Sequence, residues 1–270
     1  MRSAIGSMLL FFTCCSCKTW SQELFVYTEP ASNMPARSIG VRLSNWFMDE
    51  SPTDRVNYHF VPEVMWGANK YLMLHVEGYF SNRSEKFNME GGALYAKYRF
   101  FSNDKVYRHL RLAAFGRVST NNGDIHQEEI QINGHNSGIE LGLIGTQLLH
   151  KLALSTTVSY QHAMNNGNGN EYPATLSDNA LNYSLSIGRL ILPKNYTNYK
   201  QTNVNLMAEF LGQNLLNNKM YMDIATSVQF IINSQTRVDI GYKKELYSNM
   251  LRTAPNGFLI RIEHLFFNAL

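Results

Sequence analysis

Between residues 38 and 267 the chain repeats one pattern about every twenty residues: a stretch in which apolar and polar side chains alternate. A period of two sends successive side chains to opposite faces of a strand, so each stretch has one apolar and one polar face. Ile39, Val41 and Leu43 alternate with Gly40, Arg42 and Ser44; Leu72, Leu74 and Val76 alternate with Met73, His75 and Glu77; Leu152, Leu154 and Val158 alternate with Ala153, Ser155 and Ser159. The pattern predicts about twelve strands, near 38–48, 56–66, 71–81, 90–101, 107–119, 137–147, 151–162, 180–192, 201–212, 220–232, 236–247 and 257–267. After Arg37 no long stretch has a helical period. Soluble strands average ~5–6 residues. These run to about ten or more, close to the ~9–11 residues that a tilted strand needs to cross a hydrocarbon layer.

The connections alternate as well. Gly67–Lys70, Ser102–Val106, Leu148–His150 and Asn233–Gln235 are short, with Pro193–Lys200 the longest of that set, whereas Thr120–Asn136 and Ala163–Asn179 on the other side are the longest of all. Short turns at one end and long loops at the other predict a single all-β, antiparallel transmembrane barrel, residues 38–270, with both termini at the short-turn, periplasmic end. The composition agrees. Charged residues are only 17%; the 44% of hydrophobic residues speaks against intrinsic disorder, and a net charge of only +3 against a nucleic-acid partner.

Ahead of the barrel, Arg2 and the apolar run Met8–Cys17 read as a secretory leader, 1–22, cut near Ser21 or Gln22. Cys14, Cys15 and Cys17 all lie within it, so the mature chain holds no thiol for disulfides, zinc or catalysis. Residues 23–37 contain Pro30 and Pro35, which keep them from being a strand; they form a periplasmic extension or a segment tucked into the lumen.

With about twelve strands the lumen is too wide to fill with apolar side chains alone. The apolar face then belongs to lipid and the polar face to the interior, an arrangement in which outer-membrane lipid and the barrel-insertion machinery are the first partners. Aromatics near the strand ends, Trp46, Phe47, Trp66, Tyr71, Phe100, Phe101, Tyr160, Tyr183, Tyr221, Tyr247, Phe266 and Phe267, suit interfacial girdles. The interior residues suggest charge segregation. Arg42, Lys97, Arg99, Arg111 and Arg117 make one basic wall, opposite a mixed wall carrying Glu209, Asp223, Asp239 and Glu263.

The blocks TEPASNMPARSIGVRL (28–43), WGANKYLMLHV (66–76), YAKYRFFSND (95–104), RLAAFGRVSTNN (111–122) and HQEEIQINGHNSG (126–138) resemble a family of Bacteroidetes-type outer-membrane β-barrels labelled as transporters. The resemblance implies location and fold across nearly the whole mature chain. It carries over no catalytic residue, cofactor or solute.

Three smaller constellations remain. Pairing across the turn at Gly67–Lys70 would set Met65 against Met73 and Glu63 against His75, a thioether–imidazole set suited to copper, or ordinary lumen filler. The loop residues Asp124, His126, Glu128, Glu129 and His135 could hold a divalent cation or be a solvated loop. His135-Asn136-Ser137 matches the His-x-Ser of outer-membrane acyl hydrolases, where His activates Ser on the lipid-facing side; those enzymes continue with Asn, and this chain has Gly138. The leading expectation is a passive pore or transporter for a small polar or ionic solute, with no cofactor, in the bacterial outer membrane. A lipid acyl hydrolase and a non-conducting structural or adhesion barrel are the alternatives.

Overall fold

Each alternating stretch forms a strand: β1 (Ser38–Glu50), β2 (Arg55–Gly67), β3 (Leu72–Ser81), β4 (Asn88–Lys105), β5 (Arg108–Asn121), β6 (Ser137–Leu149), β7 (Leu152–Met164), β8 (Asn179–Leu192), β9 (Asn203–Leu215), β10 (Met220–Ile232), β11 (Thr236–Ser248) and β12 (Asn256–Phe266). The structure is a computed structural model and describes residues 25–50, 55–83, 86–105, 108–195 and 200–270. The leader read in residues 1–22 lies outside the described residues. Every strand pairs antiparallel with its sequence neighbours, and β1 pairs with β12 to close the barrel. Closure satisfies both edges of the sheet and leaves no open ladder.

The alternation resolves as a polar interior and an apolar exterior. On β4, Leu94 is 64% exposed and Lys97 is fully buried; on β3, Val76 is 58% exposed and Glu77 is buried. The outer belt continues through Val118, Leu141, Leu143, Leu185 and Phe258, all exposed. A water-soluble protein does not present so continuous an apolar surface, whereas hydrocarbon accepts it without cost. Trp66, Phe100, Tyr160, Tyr247 and Phe266 sit exposed on that outer surface. Trp46 and Tyr221 do not join them. Both share the inward parity of their strands and contact interior groups: Trp46 meets Tyr27 edge to face, and Tyr221 lies under the guanidinium of Arg252.

Turn chemistry sets the registers. In the turn 233–235, Asn233 and Ser234 both have φ above +50°, and the Gln235 N–H donates to the Ile232 carbonyl, the geometry of a hairpin turn with two left-handed central residues. In the turn 68–71, the Asn69 side chain accepts from the N–H groups of both Tyr71 and Leu72. That local bond centres the turn one residue later than the sequence spacing suggests. Met65 therefore pairs with His75, Glu63 with Glu77, and Gly67 with Met73, in place of the Met65–Met73 and Glu63–His75 pairs expected. The slip is two residues, so every side chain keeps its face. β4 is longer than expected, with a ladder irregularity between Arg99 and Phe101.

Candidate functional site

The lumen holds two insertions. From the short-turn end, residues 25–36 run inside the wall. Three consecutive backbone N–H groups, of Val26, Tyr27 and Thr28, donate to the Glu209 carboxylate at 3.0, 2.9 and 2.9 Å, and the Thr28 hydroxyl adds a fourth bond. Among the described residues no cation pairs with Glu209; the converging N–H dipoles hold its charge. Further along, the Lys97 ammonium donates to the Pro30 and Ser32 carbonyls at 2.8 and 2.9 Å, and the Ala31 N–H donates to the Thr146 hydroxyl. Glu29 bridges Lys97 and Arg42. Burial would raise its carboxyl, but Lys97 and then Arg42 outweigh burial and hold it well below the ordinary carboxylate value. Phe25 and Val26 pack with Ala153, Met207 and Leu259, and Met34 packs with Met65, Met73 and Leu265.

From the long-loop end, residues 122–136 fold inward. The Gln213 side chain accepts from the Ile130 N–H and donates to its carbonyl, at 2.9 and 2.8 Å. Ile130 and Ile132 join Ala163, Ala180, Leu215 and Met250 in a buried cluster. The main fastener is Arg252, from the neighbouring connection 249–255. It makes two bonds to Glu129 of the loop, two to Asp223 on β10 and one to Glu245 on β11. Arg252 holds the Glu129 carboxyl below its ordinary value although burial opposes this.

Between the two insertions lies a central chamber of about 240 Å³. Its lining combines aromatic faces (Tyr27, Trp46, Tyr95, Phe115) with hydroxyl and amide groups of β7 and β8 (Thr157, Ser159, Gln161, Asn182, Ser184).

The lumen charges predicted from sequence are found inside, but as local pairs and not as two opposed walls. Arg42 meets Glu63 at 3.2 Å and Glu263 at 2.7 Å in addition to Glu29. Arg117 joins Glu77 at 3.2 Å and Glu140 at 3.0 Å. Asp239 lies by Arg237 and Arg261, and Asp223 by Arg252 and Lys243. Arg111 bonds Asp104 and the Ser32 hydroxyl, and Arg99 donates to the Lys70 carbonyl at the short-turn rim. Unpaired buried charges are too costly to leave facing each other across a lumen. The partners that sequence reading missed, Glu29 and Arg252, come from segments outside the strands, where no periodicity marks them, and Glu129, singled out from sequence as a cation ligand, serves Arg252 instead.

The thioether–imidazole set divides. Met65 and Met73 close on Met34, while His75 turns to Glu63 at 3.5 Å and its ring packs on Tyr95. Glu63, His75 and Glu77 do converge, their donor atoms within 4.8 Å of one another, but Arg42 and Arg117 already engage the two carboxylates. In the loop 122–136, Glu128 is bound by Lys219 and Glu129 by Arg252, so its acidic groups are spread to different partners.

His135 and Ser137 also part. His135 turns to the interior, bonding Arg83 through Nδ1, with its ring 4.7 Å from that of His59. Burial first, then Arg83 and His59, hold its imidazole well below the ordinary value. The Ser137 hydroxyl is buried, accepting from the Asn121 N–H at 2.8 Å and donating to the Asn121 carbonyl at 3.2 Å. The lipid-facing placement expected for this pair is therefore not what forms. The following residue departs from the motif for a steric reason. Gly138 has φ +152°, and a Cβ there would come within 2.2 Å of the His162 carbonyl oxygen, so the Asn of the hydrolase motif has no room.

No family model and no curated protein matches the chain. Solved structures do. A COG4313 outer-membrane channel from Pseudomonas putida F1 superposes with a TM-score of 0.57 at 11% identity, covering 89% of this chain and 99% of that one. The NanC porin gives 0.48 at 12% identity, over 85% and 98% of the two chains. OccK2 (OpdF) from Pseudomonas aeruginosa gives 0.42 at 7% identity, over 85% and 96%. The first of these supports the fold, an outer-membrane-type β-barrel; the other two are too distant to add to it.

Proposed function

We propose that the chain is a bacterial outer-membrane channel for small polar solutes, closed in the described conformation by residues 25–36 and by the loop 122–136. The observation that carries this reading is the inverted barrel: an apolar belt outside, ionised groups inside, and a central chamber between two insertions. The belt requires lipid as its surroundings, and outer-membrane proteins are the setting in which closed antiparallel barrels meet lipid. The short turns and both termini then face the periplasm. This topology calls for a cleaved leader and for the insertion machinery as partners. A place among the Bacteroidetes-type barrels rests on the sequence blocks alone.

Opening requires one insertion to leave the lumen. Both are held mainly by polar bonds, which water can replace when the segment is released. The same filling is what a non-conducting structural barrel would have, so conductance separates the two readings. The purified mature protein in a planar bilayer should give stable single-channel steps, rising in frequency or size when the fasteners of either insertion are removed. Heat-modifiable migration that shows a folded barrel, together with no current from the native protein or from those variants, would select the non-conducting barrel.

A further inference from the structure

The central chamber has a chemistry of its own, and what it would hold can be read from three features. The first is charge. Five charged side chains reach it, and each is matched: Glu29 by Lys97 and Arg42, Glu129 by Arg252, Glu140 by Arg117, and Lys243 by Asp223. An ionic solute would find no uncompensated counter-charge there and would lose its hydration without return. The second is aromatic surface. Tyr27 and Trp46 meet edge to face at 5.4 Å, and Tyr95 and Phe115 lie 5.5 Å apart. Such rings offer apolar faces to the C–H side of a flat, polar molecule. The third is unspent hydrogen-bonding capacity. Tyr27 Oη, Thr157 Oγ1, Ser184 Oγ and Arg117 Nε belong to residues lining this chamber and, among the described residues, have no hydrogen-bond partner. Buried groups of this kind are almost always paired, and four around one cavity are donors and acceptors that a bound solute can use.

The volume sets the size. At about 240 Å³ the chamber falls below the ~300–1,000 Å³ range of drug-sized pockets. From these features we infer that the chamber is a binding site for one neutral, hydroxyl-rich ring molecule of monosaccharide size. The inference rests on the channel reading, of which it names the solute class. The β7–β8 wall supplies the hydroxyl and amide contacts, and the two aromatic pairs supply the stacking surface.

Trp46 lines the chamber, and Trp66, the other tryptophan of the mature chain, sits on the outer belt. In a Trp66→Phe background the fluorescence of Trp46 therefore reports on occupancy. Full-length mature protein in detergent, checked for folding by heat-modifiable migration, is titrated with glucose and myo-inositol, and with gluconate and glucosamine as charged molecules of similar size. The expected result is a saturable change with at least one neutral molecule, and at least about tenfold weaker binding of the charged pair. Thr157→Val or Ser184→Ala, each removing one hydroxyl, should weaken the neutral ligand about five- to tenfold. Equal or tighter binding of a charged molecule, no saturable response to any of the four, or affinities untouched by both variants would each overturn the assignment. Conductance tests the channel reading separately. Currents without a sugar response keep the channel and remove the site, and a sugar response without currents keeps the site and removes the channel.

Discussion

The two insertions are held in opposite ways. Residues 25–36 are held by their backbone: N–H groups 26–28 converge on Glu209, and the carbonyls of Pro30 and Ser32 converge on Lys97. The loop 122–136 is held chiefly by a side-chain ion cluster in which one guanidinium, that of Arg252, answers Glu129, Asp223 and Glu245. A backbone-held segment depends on residues of the wall, and most of its own side chains can vary. A loop held by one ion cluster can be released by one substitution. The long-loop end is therefore the more easily released of the two.

The largest effect should come from Arg252→Met. It leaves the buried Glu129 and Asp223 without their main cation, a loss of about 3–5 kcal/mol in docking of the loop. Single-channel recording should show much more frequent opening, and protease added from the loop side should cut within 122–136. Glu209→Gln should do less. The amide keeps the size but exchanges an anion for a neutral group, at a cost of about 1.5–3 kcal/mol of charge-assisted bonding. If Glu209→Gln opens the channel more than Arg252→Met does, the assignment of the weaker end is reversed.

A smaller, graded effect should follow pH. His135 in the docked loop has its imidazole lowered from 6.5 by burial and by Arg83 and His59. The cations facing it are Arg83 and, more distantly, Lys243, with His59 and His126 as the other imidazoles and Glu90 pairing with Arg83. A released loop would return His135 to its ordinary value, so the released state takes up a proton that the docked state refuses. Docking is therefore fully favoured above about pH 6.5 and weakens as pH falls below it. Open probability should rise on acidification over that window, and His135→Gln should flatten the rise. A flat profile in the native protein would show that His135 does not report on docking.

Most of the barrel was legible because alternation is a local signal: a strand with one wet and one greasy face must be written with a period of two. Closure follows once both edges need partners. The lumen was less legible. Arg42, Lys97, Arg117 and Glu209 could be placed inside by parity, but parity says nothing about what meets them. Their partners Glu29, Arg252 and the backbone of 26–32 lie in aperiodic segments. The register of β2 and β3 failed for a similar reason, since a single side-chain bond from Asn69 recentred the turn. The burial of Ser137 at the head of β6 was also beyond parity, since it keeps its register with Met164 while its hydroxyl turns to the Asn121 backbone.

That failure gives the smallest predicted effect. Sequence placed Ser137 on the outer face with a nucleophile's neighbour, whereas the structure makes it a clasp between the head of β6 and the end of β5, at the base of the loop 122–136. Ser137→Ala should remove the clasp at a cost of about 1 kcal/mol, seen as a slight fall in thermal stability and slightly more frequent opening. Lipid ester hydrolysis by the native protein should be at background and unchanged by the substitution. A native activity that Ser137→Ala abolishes would require His135 to swing from Arg83 to the hydroxyl. The loop would then belong to an active site, and the contrast drawn between the two ends of the lumen would lose its basis.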